Sequence, residues 1–108
     1  MAQIVVGLEQ ERASAWSFEV SVRGETGEAS TELRLHWADY ERWSQGRHAP
    51  ARVAAAAIQA ALDHVRIAEL PDREDASAFA RRHEGFMERV ESLLDDPGFR
   101  PGLACEDS

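Results

Sequence analysis

Lysine and asparagine are missing from this chain of 108 residues, and cysteine occurs once, at Cys105. One cysteine cannot close an internal bridge, so a disulfide-stapled secreted fold is excluded. The longest run without a charge or strong polar group, Val53 to Ile58, is far short of the roughly 20 residues a membrane span requires. No basic segment precedes the short apolar run that reaches Glu9, so no secretory leader of ordinary design is expected. The expected location is the cytoplasm. Eighteen alanines beside the missing lysine and asparagine match the codon bias of a GC-rich bacterial genome.

The chain also lacks the spacings that carry common chemistries. There is no Gly-x-Ser-x-Gly elbow, no His-x-x-x-His and no Cys-x-x-Cys. Gly24-Glu25-Thr26-Gly27 lacks the lysine of a phosphate loop and places an acid where phosphate would sit. No cofactor is expected. Positive charge is the scarcer sign: 12 arginines face 20 Asp and Glu, for a formal net charge of −8. Such a surface repels phosphate backbones and anionic headgroups, which argues against nucleic-acid and membrane partners.

What is present is enough apolar material, 44% of the chain, for one modest core. Trp16, Phe18, Val20 and Val22 alternate with polar residues, and so do Thr31, Leu33, Leu35 and Trp37. Period-two alternation on both sides of a glycine-bearing loop (Gly24 to Glu28) predicts an antiparallel hairpin over about 15–36 with one buried face. Glu19 and Arg34 are expected on its outer face, close enough to pair. Residues 3–8, with Ile4, Val5 and Val6, supply a third strand whose sheet partner stays open.

Helical signals follow. Trp37 to Gly46 predicts a short helix, with Asp39 near its positive end and Gly46 at the left-handed exit. Pro50 opens a helix expected to run to about Ala68, with Val53, Ala57, Ile58, Ala61, Leu62 and Val65 along its apolar stripe. Asp72 or Asp75 is placed to cap a further helix through Ala76, Phe79 and Ala80. Phe86, Val90, Leu93 and Leu94 predict one more, stopped at Asp95-Asp96-Pro97. The expected class is α+β, a small antiparallel sheet with helices packed on one face. Residues 1–96 form its single domain and 97–108 a flexible C-terminal tail.

Thr31-Glu32-Leu33-Arg34-Leu35, then Asp39-Tyr40-Glu41-Arg42, Pro50, Val53 and Leu62, resemble a group of short uncharacterised bacterial proteins. In that group a hairpin strand leads into an Asp-Tyr helix start and a proline-opened helix. Arg73 to Ser77 and Arg82 to Phe86 resemble later stretches of the group, with Glu74 where an aromatic is expected and His36 in place of a capping serine. The resemblance spans Trp16 to Phe86 and implies the same layout of elements. It implies no activity.

Two features bear on function. Trp37, Tyr40 and Trp43 are spaced i, i+3, i+6, which suggests one shared side of a short helix. Either they fill a core whose main helix is mostly alanine, or one stays exposed and anchors a partner. On the second reading the contact residues are Trp37, Tyr40, Arg42, Trp43 and Arg47. The other feature is the C-terminal third: from Glu69 onward 11 acids outnumber 5 arginines, a net of −6. It reads as a solvated surface or as a negative face for a basic partner.

The leading expectation is a non-enzymatic bacterial protein–protein interaction module, with an open sheet edge as a route to self-association. The alternative is an acidic antitoxin, immunity or other inhibitor protein that neutralises a basic toxin or nucleic-acid-binding protein. A further alternative is a small enzyme or metal site built from His36, His48 and Asp39. His64, beside the apolar stripe, is expected to fringe the core.

Overall fold

The computed structural model describes residues 2–103. Three long strands run in series: β1 (Gln3–Glu11), β2 (Ala15–Gly24) and β3 (Gly27–His36). Both successive pairs are antiparallel, so the expected hairpin and the third strand belong to one meander. β1 continues past Leu8 through the charged spacer to Glu11, because a bulge absorbs the mismatch with β2. Val6 faces Val20 and Glu9 faces Phe18, leaving Gly7 and Leu8 opposite Glu19 alone. A Cβ on Gly7 would stand 3.1 Å from the Glu19 carbonyl oxygen, a tight contact that glycine avoids where the strands approach.

Two short strands complete a sheet of order β4-β3-β2-β1-β5. β4 (Arg73–Asp75) lies parallel to β3, and β5 (Gly102–Leu103) lies parallel to β1. The α+β class holds, but the sheet is mixed and not purely antiparallel. Helices connect β3 to β4, and only such a crossover lets a chain return in the same direction.

The helices are α1 (Trp37–Ser44), α2 (Pro50–Ala61), α3 (Ala76–Arg82) and α4 (Phe86–Leu94). Gln45 takes the left-handed exit of α1 at φ 54°, one residue before Gly46 at φ 74°. α2 stops well short of Ala68. Asp63 and His64 donate to carbonyls three residues back, and Arg66 is extended. The Glu69 carboxylate then accepts the Arg66 backbone N–H at 2.8 Å, and Ile67–Glu69 form a 3-10 turn. The break lets Ile67 fold back over the hairpin end at Gly24, which a straight helix would overshoot. Asp75 is the N-cap residue of α3 but does not cap it; its carboxylate lies 3.4 Å from His36 and 3.9 Å from Arg34.

The core lies between the sheet and the helices. Ile4, Val6, Phe18, Val20, Val22, Leu33 and Leu35 supply the sheet side. Every residue from Val53 to Ala61 is buried, so α2 is enclosed on nearly all sides and not along one stripe. α4 packs on it from beyond, through Val90, Leu93 and Leu94. No described helix is long and apolar enough to cross a membrane.

Where a tail is expected from residue 97, Phe99 is buried and Gly102–Leu103 pair with β1; residues 104–108 lie outside the described range. Arg52, from the first turn of α2, reaches the end of α4. Its guanidinium donates to the carbonyls of Phe99 at 2.8 Å, Asp96 at 3.1 Å and Leu94 at 3.3 Å, and sits over the Phe99 ring. One planar cation thus meets carbonyls at and just beyond the negative end of a helix. Replacing Arg52 with Met keeps the stem and removes the fork. The expected loss is about 2 kcal/mol in urea unfolding, with faster amide exchange at Gly102 and Leu103. Unchanged exchange there would show that Phe99 alone holds the segment.

Candidate functional site

Alternation in the meander sends one set of side chains into the core and the other to the far side of the sheet. On that far side lie Gln3 and Val5 from β1, Ser17, Glu19, Ser21 and Arg23 from β2, and Glu28, Ser30, Glu32 and Arg34 from β3. None of the described helices covers this face. Two apolar side chains interrupt it: Val5, 38% exposed, and Leu8, 79% exposed because the bulge turns it outward. A shallow trough of about 490 Å³ crosses it between Gln3, Val5, Ser21, Arg23, Glu28 and Ser30.

Charges on this face are largely matched. Arg23 pairs with Glu28 at 3.2 Å, Arg73 with Glu32 at 3.4 Å, and Arg34 with Asp75. Glu19 does not face Arg34. The register sets it opposite Glu32, while Arg34 faces Ser17. Two carboxylates side by side repel, and Glu32 is held ionised by its own surroundings. The Ser17 hydroxyl donates to it at 2.7 Å, and the Arg73, Arg12 and Arg34 charges add to that, so its pKa lies below the ordinary range despite some desolvation.

The aromatic residues divide between two environments. Trp37 is 41% exposed and lies against Trp16, ring centres 6.0 Å apart. Tyr40 meets Trp16 edge-on at 5.2 Å and donates its hydroxyl to the His48 carbonyl. These three form a half-exposed cluster at one end of the sheet. Trp43 does not join them. It is 2% exposed and packs edge-on against Phe86 in the core. Successive helix residues turn about 100°, so a step of three falls about 60° short of a full circle and two such steps fall about 120° short. The i, i+3, i+6 spacing therefore rotates Trp43 off the face of Trp37, and Trp43 drops out of the expected five-residue patch. Arg42 stays exposed beside the buried Asp39 at 3.6 Å. Arg47 lies 3.8 Å from Asp95 at the end of α4.

The residues proposed for an enzyme or metal site do not converge. His36 faces Asp75, Asp39 faces Arg42, and His48 Nε2 is 3.6 Å from Asp95, too far for a hydrogen bond. Among the described residues no group of three or more His, Cys, Asp or Glu could hold a metal ion. Cys105 lies outside the described residues. His64 finds a partner that spacing did not suggest: its ring stacks on His83, 4.4 Å between centres and 6° from parallel. Desolvation lowers the pKa of His83, and the neighbouring His64 and Arg82 charges lower it further.

Sequence reasoning missed Val5 and Leu8 as surface residues. The available signal was Gly7, since a glycine inside a strand pattern marks a bulge.

Trp43→Ala is expected to destabilise the fold by about 3–5 kcal/mol, as loss of a core aromatic does. Trp37→Ala should stay within about 1 kcal/mol, because much of that ring already faces water. Equal losses in chemical denaturation would refute the division. For the histidine stack the sign follows from proton counting. The unfolded chain binds a proton at His83 near pH 6.5 while the native chain resists it, so stability is complete above that pH and falls as pH drops through it. Melting curves of His83→Phe should show a weaker decline below pH 6.5; an unaltered slope would assign the decline to other groups. Compared with protein families, with curated proteins and with solved structures, this chain has no match.

Proposed function

We propose that this chain is a non-enzymatic protein–protein interaction module that docks its partner on the uncovered face of the sheet. The observation that carries the reading is the pair Val5 and Leu8, apolar and water-exposed on a face that no described helix covers. An exposed leucine on a strand next to a sheet edge is a liability for an isolated protein, and a covering partner relieves it. Paired arginines and carboxylates around it form a polar rim of the kind that surrounds a contact core. Trp37 and Tyr40 extend the surface at one end of the sheet, with Arg42 and Arg47 beyond them. The proposed setting is the bacterial cytoplasm, in keeping with a single cysteine and the acidic composition.

The inhibitor reading, in which a negative surface captures a basic toxin or nuclease, receives less support. Arg47 and Arg82 stand beside Asp95 and Glu74, and Arg89 reaches out to Asp63, so arginine interrupts the acids of the C-terminal third. A face neutralised at intervals steers a basic partner weakly.

Affinity capture from the native host, at low and at high salt, separates the two readings. Leu8→Arg should reduce the captured partner at least about tenfold, the effect of burying one unpaired charge, while the melting temperature stays near wild type. Capture that survives Leu8→Arg and Trp37→Ala but is lost at high salt would favour the acidic inhibitor. Light scattering of the purified chain tests the third possibility, a second copy as the partner: a dimer dispersed by Leu8→Arg would identify the face as a homodimer contact.

A further inference from the structure

The end of the sheet opposite the aromatic cluster carries a second concavity, independent of the proposed docking face. Where α2 stops, the chain runs past the hairpin turn and leaves a cleft of about 420 Å³. Its apolar side is formed by Leu62, Val65 and Ile67, and its lip by Glu25 and Thr26 of the turn and by Arg66. That volume is within the range of small-molecule sites.

Gln59 lines this cleft and is 7% exposed. Its Oε1 is buried and has no hydrogen-bond partner. A buried amide oxygen without a partner costs stability relative to an apolar side chain of the same shape. A half-turn of the amide presents either an acceptor or a donor to the cleft. At the lip two opposite charges are available together. Among the described residues neither the Glu25 carboxylate nor the Arg66 guanidinium has an ion-pair partner, whereas most other arginines have one.

We propose that this cleft binds a free α-amino acid with an apolar side chain. The side chain lies against Leu62, Val65 and Ile67, the carboxylate meets Arg66, and the ammonium donates to Glu25 and, once the buried amide turns toward the cleft, to Gln59 Oε1. A zwitterion engages both lip charges and the buried acceptor at once. A purely apolar ligand leaves the Gln59 oxygen without a partner and uses neither charge, and a simple carboxylate faces like charge at Glu25. Gly24 borders the cleft beside Ile67, and a Cβ there would stand 2.7 Å from Ile67 Cδ1, so Ile67 keeps this position only next to glycine.

The test is a titration of the isotope-labelled chain with L-leucine, followed in two-dimensional amide NMR spectra. Saturable shifts are expected at the Gln59 side-chain amide, Arg66 and Ile67. Arg66→Gln should weaken binding about tenfold, the scale of one charge-assisted hydrogen bond. Leucinamide, without the carboxylate, and N-acetyl-leucine, without the ammonium, should each bind more weakly than leucine. Gln59→Leu should abolish binding while raising the melting temperature, because it removes the orphaned oxygen and keeps the volume. Absence of saturable shifts with leucine, shifts centred on Ser21 and Ser30, or undiminished binding by the folded Gln59→Leu variant would each overturn the proposal. The outcomes are read at Gln59, Arg66 and Ile67, away from Val5 and Leu8, so the two readings fail separately.

Discussion

Burial of α2 on nearly all sides is the constraint from which the remaining architecture follows. Alanines at 51, 54, 55, 56, 57, 60 and 61 are closed off from water, with Val53 and Ile58 among them. Small side chains let the strands approach the helix from one side and α4 from the other, and dispersion contacts grow with that closeness. The bulk missing from alanine comes from Phe18, Leu33 and Leu35 on the sheet and from Trp43, Phe79 and Phe86 on the helices. Trp43 is thereby committed to the core. The buried apolar surface of the helices is spent on this one side, and no described helix covers the far face of the sheet.

Enclosing α2 also decides what its polar residues do. Arg52 escapes desolvation because its stem leads the guanidinium to backbone carbonyls at the end of α4, where a cation is favoured. The same fork holds the segment whose Gly102 and Leu103 cover part of the β1 edge. Gln59 has no such outlet for its oxygen. The Thr31 hydroxyl and the Trp43 indole nitrogen are likewise buried without partners, but they belong to the packed core, whereas Gln59 borders a cleft. The surface ion pairs contribute little individually, about 0–1 kcal/mol each. Their role is to leave the sheet face electrically patterned and nearly neutral.

Legibility in the sequence tracked the length of each signal. Ten-residue strands declare themselves by alternation, and β2 and β3 were readable in place. Their register was not. The turn closes with Gly24 opposite Gly27, which sets Glu19 opposite Glu32 and Arg34 opposite Ser17. β4 and β5 are too short for any periodicity, and both are parallel additions held by tertiary contacts. An alanine helix reads as one-faced when alanine is counted as indifferent, and nothing local says that its other sides are covered too. Arg52 resembles any surface arginine until α4 is placed beside it. For the candidate site, the aromatic spacing was visible but its 60° drift per step decided which ring remained outside. Leu8 was hidden because its exposure comes from a bulge.

The sheet face and the hairpin-end cleft differ in what keeps them available to a ligand. On the sheet face exposure follows from topology: once the helices gather on one side, Val5 and Leu8 have nowhere to go, and polar substitution at either position would cost the fold little. Retaining apolar residues there is therefore informative about a partner, since solubility alone favours replacing them. In the cleft the relevant cost is internal. Gln59 could be Leu at the same volume, and the fold would lose an unsatisfied acceptor. A chain of marginal stability gains from that exchange unless the amide is used. Both surfaces deviate from what a minimal stable version of this fold would display, one outward and one inward. Where local chemistry opposes folding stability in this way, function is the expected beneficiary.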